Sequence, residues 1–243
     1  MHNYGEGLAP RGVAVYALDL RGHGKSDGAR GYINSWSEFR ADLGAFLDMI
    51  RSRNPALPLF VMGHSMGAVV VLDYILRSPN GIAGVITTAA ALGKLSIPSY
   101  QFAMARVMSR LAPKMGMPLD NDHSHSMRDP EMMTVYQTDS LRFQKGTVRL
   151  AVEYMDAMDW VNAHAGDLRL PLLMLHGGAD ILAAPEGSRA FFEQVPGPNK
   201  EYKEYPGALH ELYNDFGWQD VVADVAGWLE RQLTQGLPVL LPS

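Results

Sequence analysis

Ser65, Asp180 and His210 stand in chain order at three glycine-marked turns, and together they supply a nucleophile, a carboxylate and a base. Ser65 is the centre of Gly63-His64-Ser65-Met66-Gly67, set between the apolar runs Leu57-Pro58-Leu59-Phe60-Val61-Met62 and Ala68-Val69-Val70-Val71-Leu72. Gly-x-Ser-x-Gly between a strand and a helix places the serine on a sharp turn with its hydroxyl exposed above the sheet. Glycines flank it because strand and helix pack closely there and a Cβ would clash. A serine hydroxyl is not ionised at neutral pH, so it needs a general base. That base needs a carboxylate to fix its tautomer and stabilise the imidazolium. The bland reading is a Ser-Gly turn without chemistry, and the strand-before, helix-after setting argues against it.

The carboxylate is Asp180, at the end of Leu172-Leu173-Met174-Leu175-His176-Gly177-Gly178-Ala179-Asp180. This reads as a short buried strand, a glycine turn and then an acid. Catalytic groups in open α/β sheets gather at the C-terminal ends of strands. Pro185 and Glu186 then open a helix that runs through Phe191-Phe192. The bland reading is a turn-capping aspartate. The rival acids Asp156, Asp159 and Asp167 fall in a helical stretch or at its end, and none follows a strand.

The base is His210, in Tyr205-Pro206-Gly207-Ala208-Leu209-His210-Glu211, after the last strand-like run and before the C-terminal helix. Of eight histidines it alone follows the acid. His64 neighbours the serine with its side chain expected to point away, and His23 lies in a glycine-bounded loop. His176 reads as structural, His2 is terminal and His164 ends a helical stretch. His123 and His125 alternate in a polar loop, a poor metal site without further ligands. In the chemistry these residues imply, His210 takes the Ser65 proton during attack on an ester carbonyl and Asp180 orients His210. The backbone N–H of Met66, at the N-terminus of the nucleophile helix, donates to the developing oxyanion. Neither a metal nor an organic cofactor is required.

The elements that must position these groups alternate between strand-like and helical runs, which predicts a parallel sheet flanked by helices. Residues 13–20 read as the first strand. Ser35 and Glu38 have capping-box spacing and open a helix. Its Trp36, Phe39, Leu43, Phe46 or Leu47, and Ile50 recur at helical spacing as a core stripe. The nucleophile helix runs over 66–77, and 82–87 is another strand. From about 92 to 168 no strand is expected. Helices are expected at 100–111, at 130–138, with Asp129 as cap and Pro130 in first position, and at 147–163. The domain division is therefore 1–91 with 169–243 as core, and 92–168 as an insertion.

Composition bounds the rest. The 243 residues suffice for one domain with a substantial core. The net charge of −5 and scattered basic residues give no reason to expect nucleic acid. Without cysteine there are no disulfides or thiolate metal sites. No apolar run approaches a membrane span, and Met1-His2-Asn3-Tyr4-Gly5 is not a signal peptide. A cytoplasmic location is expected, provided the chain starts at its native N-terminus. Arg106 and Arg110 read as a solvated face rather than an anion site. Oligomeric state is not encoded legibly.

The motifs also carry a resemblance. Val15-Tyr16-Ala17-Leu18-Asp19-Leu20-Arg21-Gly22-His23-Gly24-Lys25-Ser26-Asp27-Gly28, continued by Arg30-Gly31-Tyr32, is similar to a signature of the monoacylglycerol lipase and lysophospholipase-like branch of the α/β-hydrolases. Val61-Met62-Gly63-His64-Ser65-Met66-Gly67 resembles its nucleophile segment, and the Asp180 and His210 turns resemble its acid and base segments. The resemblance spans residues 3 to about 235 and implies hydrolysis of an acyl ester of glycerol or a similar small alcohol. It also implies that the 92–168 insertion is a cap over the active site. Nine methionines fall there: Met104, Met108, Met115, Met117, Met127, Met132, Met133, Met155 and Met158. Such adaptable side chains suit either an apolar wall for acyl chains or an irregular core. The partner is then a small lipid or ester, with peripheral lipid contact through the cap.

The start of the chain departs from this pattern. The resemblance implies further strands before residue 13 and a loop donating a second oxyanion N–H, whereas Met1 to Arg11 looks like the tail of a helix. Without the intervening strand, residues 13–19 and 57–62 share no neighbour and bare unpaired backbone groups. Three arrangements satisfy this: a fragment of a longer product, which is the expected one, direct pairing of the two strands, or a strand from another chain. Losing one oxyanion donor costs about 10²–10³ in rate. Alternative functions are a lysophospholipase, a broad short-chain esterase with perhydrolysis as a side activity, or a truncated, inactive hydrolase acting as a binding module. Aspartate-nucleophile chemistry is disfavoured by serine at position 65.

Overall fold

The computed structural model describes residues 2–93, 98–118, 123–142 and 145–234. The chain opens with helix α1 (His2–Leu8), continued by a 3₁₀ turn over Ala9–Arg11. This is the helical tail expected of that segment, and Met1 lies outside the described residues. Tyr4 and Leu8 bury against the C-terminal helix.

Residues 13–20 form no strand, which corrects the expectation of a first strand there. No ladder joins them to the sheet, so direct pairing with residues 57–62 does not occur. The physical reason is the one the topology implies: no described strand lies between them. Val15 and Tyr16 are each 42% exposed in consequence.

Helix α2 (Ser37–Arg53) buries Phe39, Leu43, Leu47 and Ile50, the predicted stripe. Its cap is different from the expected box. The Ser35 hydroxyl pairs with that of Ser37, and the Glu38 carboxylate accepts from the Asn34 backbone N–H (2.9 Å) and side-chain amide (2.8 Å). Asn34 therefore holds the entry to the helix. Strand β1 (Phe60–His64) leads into α3 (Met66–Arg77), and β2 (Gly84–Thr88) follows.

The chain between β2 and the next sheet strand carries α4 (Ser99–Leu111), β3 (Gly116–Pro118), α5 (Pro130–Thr138), β4 (Lys145–Thr147) and α6 (Val148–Ala163). The helices fall where periodicity places them. Asp129 caps α5 through the N–H groups of Glu131 and Met132, and Thr147 caps α6 through that of Leu150. The expectation of no strand in this region is corrected: β3 and β4 form a small antiparallel ladder. Three-residue strands rich in glycine leave too little alternation to read from sequence.

Strand β5 (Leu172–Gly177), α7 (Pro185–Gln194), β6 (Lys200–Tyr205) and α8 (Trp218–Thr234) complete the fold. The main sheet is parallel in the order β1-β2-β5-β6. Its central strands β2 and β5 are buried throughout, as strands covered on both faces must be. β6 carries four charged residues among six and has no fully buried position, a pattern suited to an edge. One face packs α2, α3, α6 and Phe191 of α7, and the other packs α1 and α8.

The insertion is tied to the sheet at several points. Tyr154 donates to the Ala91 carbonyl (2.5 Å) and Asn162 to that of Leu92 (3.0 Å). The Arg128 guanidinium donates to buried Asp215 (2.7 Å), whose other oxygen accepts the Arg128 backbone N–H (2.8 Å). Arg128 is exposed and Asp215 buried, so removing the arginine leaves a buried carboxylate without its cation. Arg128→Ala should cost about 2–3 kcal/mol, below the full penalty because backbone N–H groups still reach Asp215. Urea unfolding of the variant beside wild type measures it.

Candidate active site

The elbow is built by sterics. Ser65, between β1 and α3, holds φ 53° and ψ −123°, a strained conformation for a residue with a Cβ. Neighbouring bonds fix it: the Ser65 N–H donates to the Thr88 carbonyl (3.1 Å), and the Ser65 carbonyl accepts from Ala68 (3.0 Å). A Cβ on Gly63 would lie 2.5 Å from the Gly67 carbonyl oxygen and 2.6 Å from the Ala68 Cα, so only glycine fits. The same argument fails at Gly67, where a Cβ would meet nothing within 4 Å. Close packing thus explains the first glycine and not the second. Met66 is the first residue of α3, so its N–H has no acceptor within the helix.

The acid and base turns leave adjacent strands at matching heights, since Gly177 of β5 pairs with Tyr205 of β6. The two turns are joined by backbone bonds, from Gly178 N–H to Tyr205 (2.9 Å) and from Ala179 N–H to Ala208 (3.0 Å). A Cβ on Gly177 would lie 2.2 Å from the Leu209 carbonyl oxygen, so this contact also demands glycine. The result is a hydrogen bond from His210 Nδ1 to Asp180 Oδ2 at 2.7 Å, between two buried side chains. Nδ1 carries the proton in that bond, which leaves Nε2 as the free base.

Asp180 is fully occupied. Its Oδ1 accepts from the Leu182 (2.9 Å) and Ala183 (3.0 Å) N–H groups. Its Oδ2 also lies 3.2 Å from His176 Nε2. Burial alone would raise the carboxyl pKa, but hydrogen bonds from His176 and His210, the charge of His210 and the Ala183 N–H outweigh it. The group is held well below the usual carboxylate range and stays ionised at working pH. His176, read as structural, is wholly buried and braces this carboxylate, with Nε2 donating to the Ala183 carbonyl (2.6 Å).

The structure brings Asp180 and His210 together directly, and the serine's neighbour His64 has its ring centroid 4.8 Å from that of His210. No hydrogen bond among the described residues links the Ser65 hydroxyl to His210; such contacts are often long before substrate binds. The rival acids stay away: Asp156 pairs with Arg106 on the insertion's surface, and Asp159 lies in α6. Arg106 is thereby a paired surface cation, as expected. His2 pairs with Glu6, and His164 stacks on Trp160.

Two features escaped the sequence. The His64 ring does not point away from the site: its centroid lies 4.8 Å from that of His210, and its Nε2 lies 3.4 Å from Glu211 Oε1. Alternation along β1 carries His64 to the face opposite its neighbours. Glu211 is 4% exposed. Burial raises its pKa, but the charge and contact of His64, the charge of His210 and the Tyr213 hydroxyl hold it down at about 2. Burial and the Glu211 charge in turn push Tyr213 up, keeping its phenol protonated. The sequence clue was Glu211 itself, an acid directly after the base.

A parallel sheet with a serine elbow, an acid turn and a base turn at the C-terminal ends of its strands defines an α/β-hydrolase. Residues 1–216 match the family model described as serine aminopeptidase, S33, and the chain belongs to that family. It is 32% identical over 238 residues to the monoacylglycerol lipase of Mycolicibacterium smegmatis, covering 96% of this chain and 83% of that one. It is 28% identical to phospholipase YtpA of Bacillus subtilis, covering 86% and 82%. The crystal structure of Paleococcus ferrophilus monoacylglycerol lipase superposes with a TM-score of 0.85 at 31% identity, covering 94% of this chain and 88% of that one. The chain is a hydrolase of carboxylic esters.

The Glu211 arrangement has a pH signature. A carboxylate whose pKa is lower folded than unfolded contributes stability above its ordinary value of 4.5, and loses it as pH falls toward about 2. Glu211→Gln should therefore lower the urea midpoint at pH 7, and the gap from wild type should narrow at pH 3. Paired urea titrations at the two pH values test this.

Proposed function

We propose that this chain cleaves monoacylglycerols through a Ser65–His210–Asp180 triad and an acyl-enzyme intermediate. The observation that carries the reading is the 2.7 Å Asp180–His210 bond, buried beside a strained serine elbow. His210 Nε2 takes the Ser65 proton as Oγ attacks the ester carbonyl. Asp180, ionised, stabilises the imidazolium. The Met66 N–H and the N-terminal end of α3 stabilise the oxyanion. His210 returns its proton to the leaving glycerol, and water then repeats the cycle on the acyl-enzyme.

Residues 92–168 act as the cap over this site, with 1–91 and 169–243 as core. The insertion's methionines differ in exposure. Met127, Met155 and Met158 are buried in packing, whereas Met104, Met115 and Met117 are exposed. On α4 the exposed side chains Tyr100, Met104, Val107 and Leu111 share one face at helical spacing. An exposed apolar stripe on a cap helix suits an enzyme whose substrate sits in a lipid phase. No helix among the described residues is long and apolar enough to cross a membrane, so contact through this face would be peripheral.

The lysophospholipid reading stands second, favoured by the Bacillus subtilis relative's description as a phospholipase. A fluorophosphonate probe should label the folded protein and fail to label Ser65→Ala. The wild type should then release fatty acid from a long-chain monoacylglycerol faster than from the matching lysophosphatidylcholine. Folded protein that takes no label and releases no acid would leave a binding module as the reading.

A further inference from the structure

One cleft of the molecule has none of Ser65, Asp180 and His210 in its lining. It encloses about 670 Å³ and is lined by Arg30, Lys114, Gly116, Lys145, Gly146 and Thr147. Three of its six lining residues are cations and none is an acid. The chain as a whole has a net charge of −5, so this is a local reversal of sign. Several cations elsewhere are matched: Arg21 with Asp42, Arg40 and Arg77 with Asp73, Arg128 with Asp215, Arg189 with Glu204. Among the described residues, Arg30, Lys114 and Lys145 form no ion pair.

The three cations come from three separate segments and are held together. Arg30 lies on the core loop whose Gly31 carbonyl accepts both the Thr147 backbone N–H (3.2 Å) and the Thr147 hydroxyl (2.7 Å). That clamp fixes the loop against β4, which carries Lys145. Lys114 precedes β3, its ammonium 5.2 Å from the Tyr32 ring centroid. Gly116 and Gly146 bring no side chains between the cations, and the Lys145 stem lies over Gly116, within 3.7 Å of where a Cβ would stand. Bringing like charges together in a concave surface is unfavourable unless an anion enters, and a cleft of one sign focuses the field on it.

We propose that this cleft is an anion site that takes a phosphate group. Arginine offers a planar fork for two phosphate oxygens, and the lysines supply point charges from the other sides. Met115 and Met117, 41% and 40% exposed, flank Gly116 in sequence, so apolar surface adjoins the strand that lines the cleft, which favours the phosphate of a lipid headgroup over a free ion. Occupied in this way, the cleft would anchor the insertion to an anionic lipid surface. The site does not depend on turnover at Ser65.

The test uses the whole chain. Arg30→Gln, Lys114→Gln and Lys145→Gln are combined and compared with a control of equal charge, Lys25→Gln with Arg53→Gln and Arg110→Gln. All six side chains are exposed, and hydrolysis of p-nitrophenyl acetate checks that each variant is folded. Single Lys145→Gln serves as a second variant should the combination misfold. Cosedimentation with phosphatidylglycerol vesicles should weaken by about fivefold per cleft cation removed, roughly a hundredfold for three, and much less in the control. Phosphatidylcholine vesicles should not distinguish the proteins. Calorimetric titration with inorganic phosphate separates the sources: heat lost in the cleft variant with vesicle binding unchanged would assign the site to free phosphate. Equal weakening of cleft and control variants, or wild type that binds neither phosphate nor phosphatidylglycerol, would overturn the proposal.

Discussion

Everything at the site depends on keeping one buried carboxylate ionised and fully bonded. Asp180 is removed from water, and desolvation by itself would favour its neutral form. Four neighbours prevent that, two histidines on one oxygen and two backbone N–H groups on the other. Those N–H groups exist in the right place because the chain turns back immediately after Asp180, and the histidines because β5 and the β6 turn run side by side. The sheet register, the glycine at position 177 and the backbone bonds between the two turns all serve this single charge. A neutral Asp180 would no longer hold the His210 proton on Nδ1, and the imidazole would be free to take the other tautomer.

The second constraint is steric. Ser65 accepts a positive φ, and Ala89, just beyond β2, does so too, with φ 45°. These are the non-glycine residues with positive φ among those described, and hydrogen bonds relate their turns: Ser65 N–H to Thr88, and Ala91 N–H to the Ser65 carbonyl. Strain is thus concentrated where β1 and β2 end beside the nucleophile. The buried central strands and the α3 packing hold it in place, which is how a fold supports a conformation that a free chain would abandon.

What could be read from sequence was what carries a local signal. Asp129-Pro130 marks a helix start wherever it occurs, and α5 begins there. The α3 and α7 limits follow from glycine and proline at their ends. The order Ser, Asp, His selected the site residues because each sits at a strand end with its own turn chemistry. What could not be read depends on distant contacts. His64 and Glu211 are 147 positions apart by number and meet only because β1 and the His210 turn converge. The β3–β4 ladder is too short for alternation to register. Residues 13–20 have the apolar, β-branched composition of a strand, but a strand needs a partner, and composition cannot announce that none of the described residues provides one. The Ser35 cap failed for a related reason: Asn34 competes for Glu38, and spacing alone does not rank two adjacent polar residues.

The insertion links these two kinds of information. Its helices were legible, yet its attachments were not, and the attachments decide what it does. Arg128 grips Asp215, and the Ser126 carbonyl accepts the Glu211 N–H at 2.8 Å. Both partners lie within five residues of His210. The base turn is therefore held from below by Asp180 and from above by the insertion. A displacement of residues 126–128 would pull on Glu211 and Asp215, and through them on the imidazole. Meanwhile α4 leaves an apolar face outward, away from these anchors. One segment thus carries both an exposed apolar stripe and the contacts that hold the His210 turn.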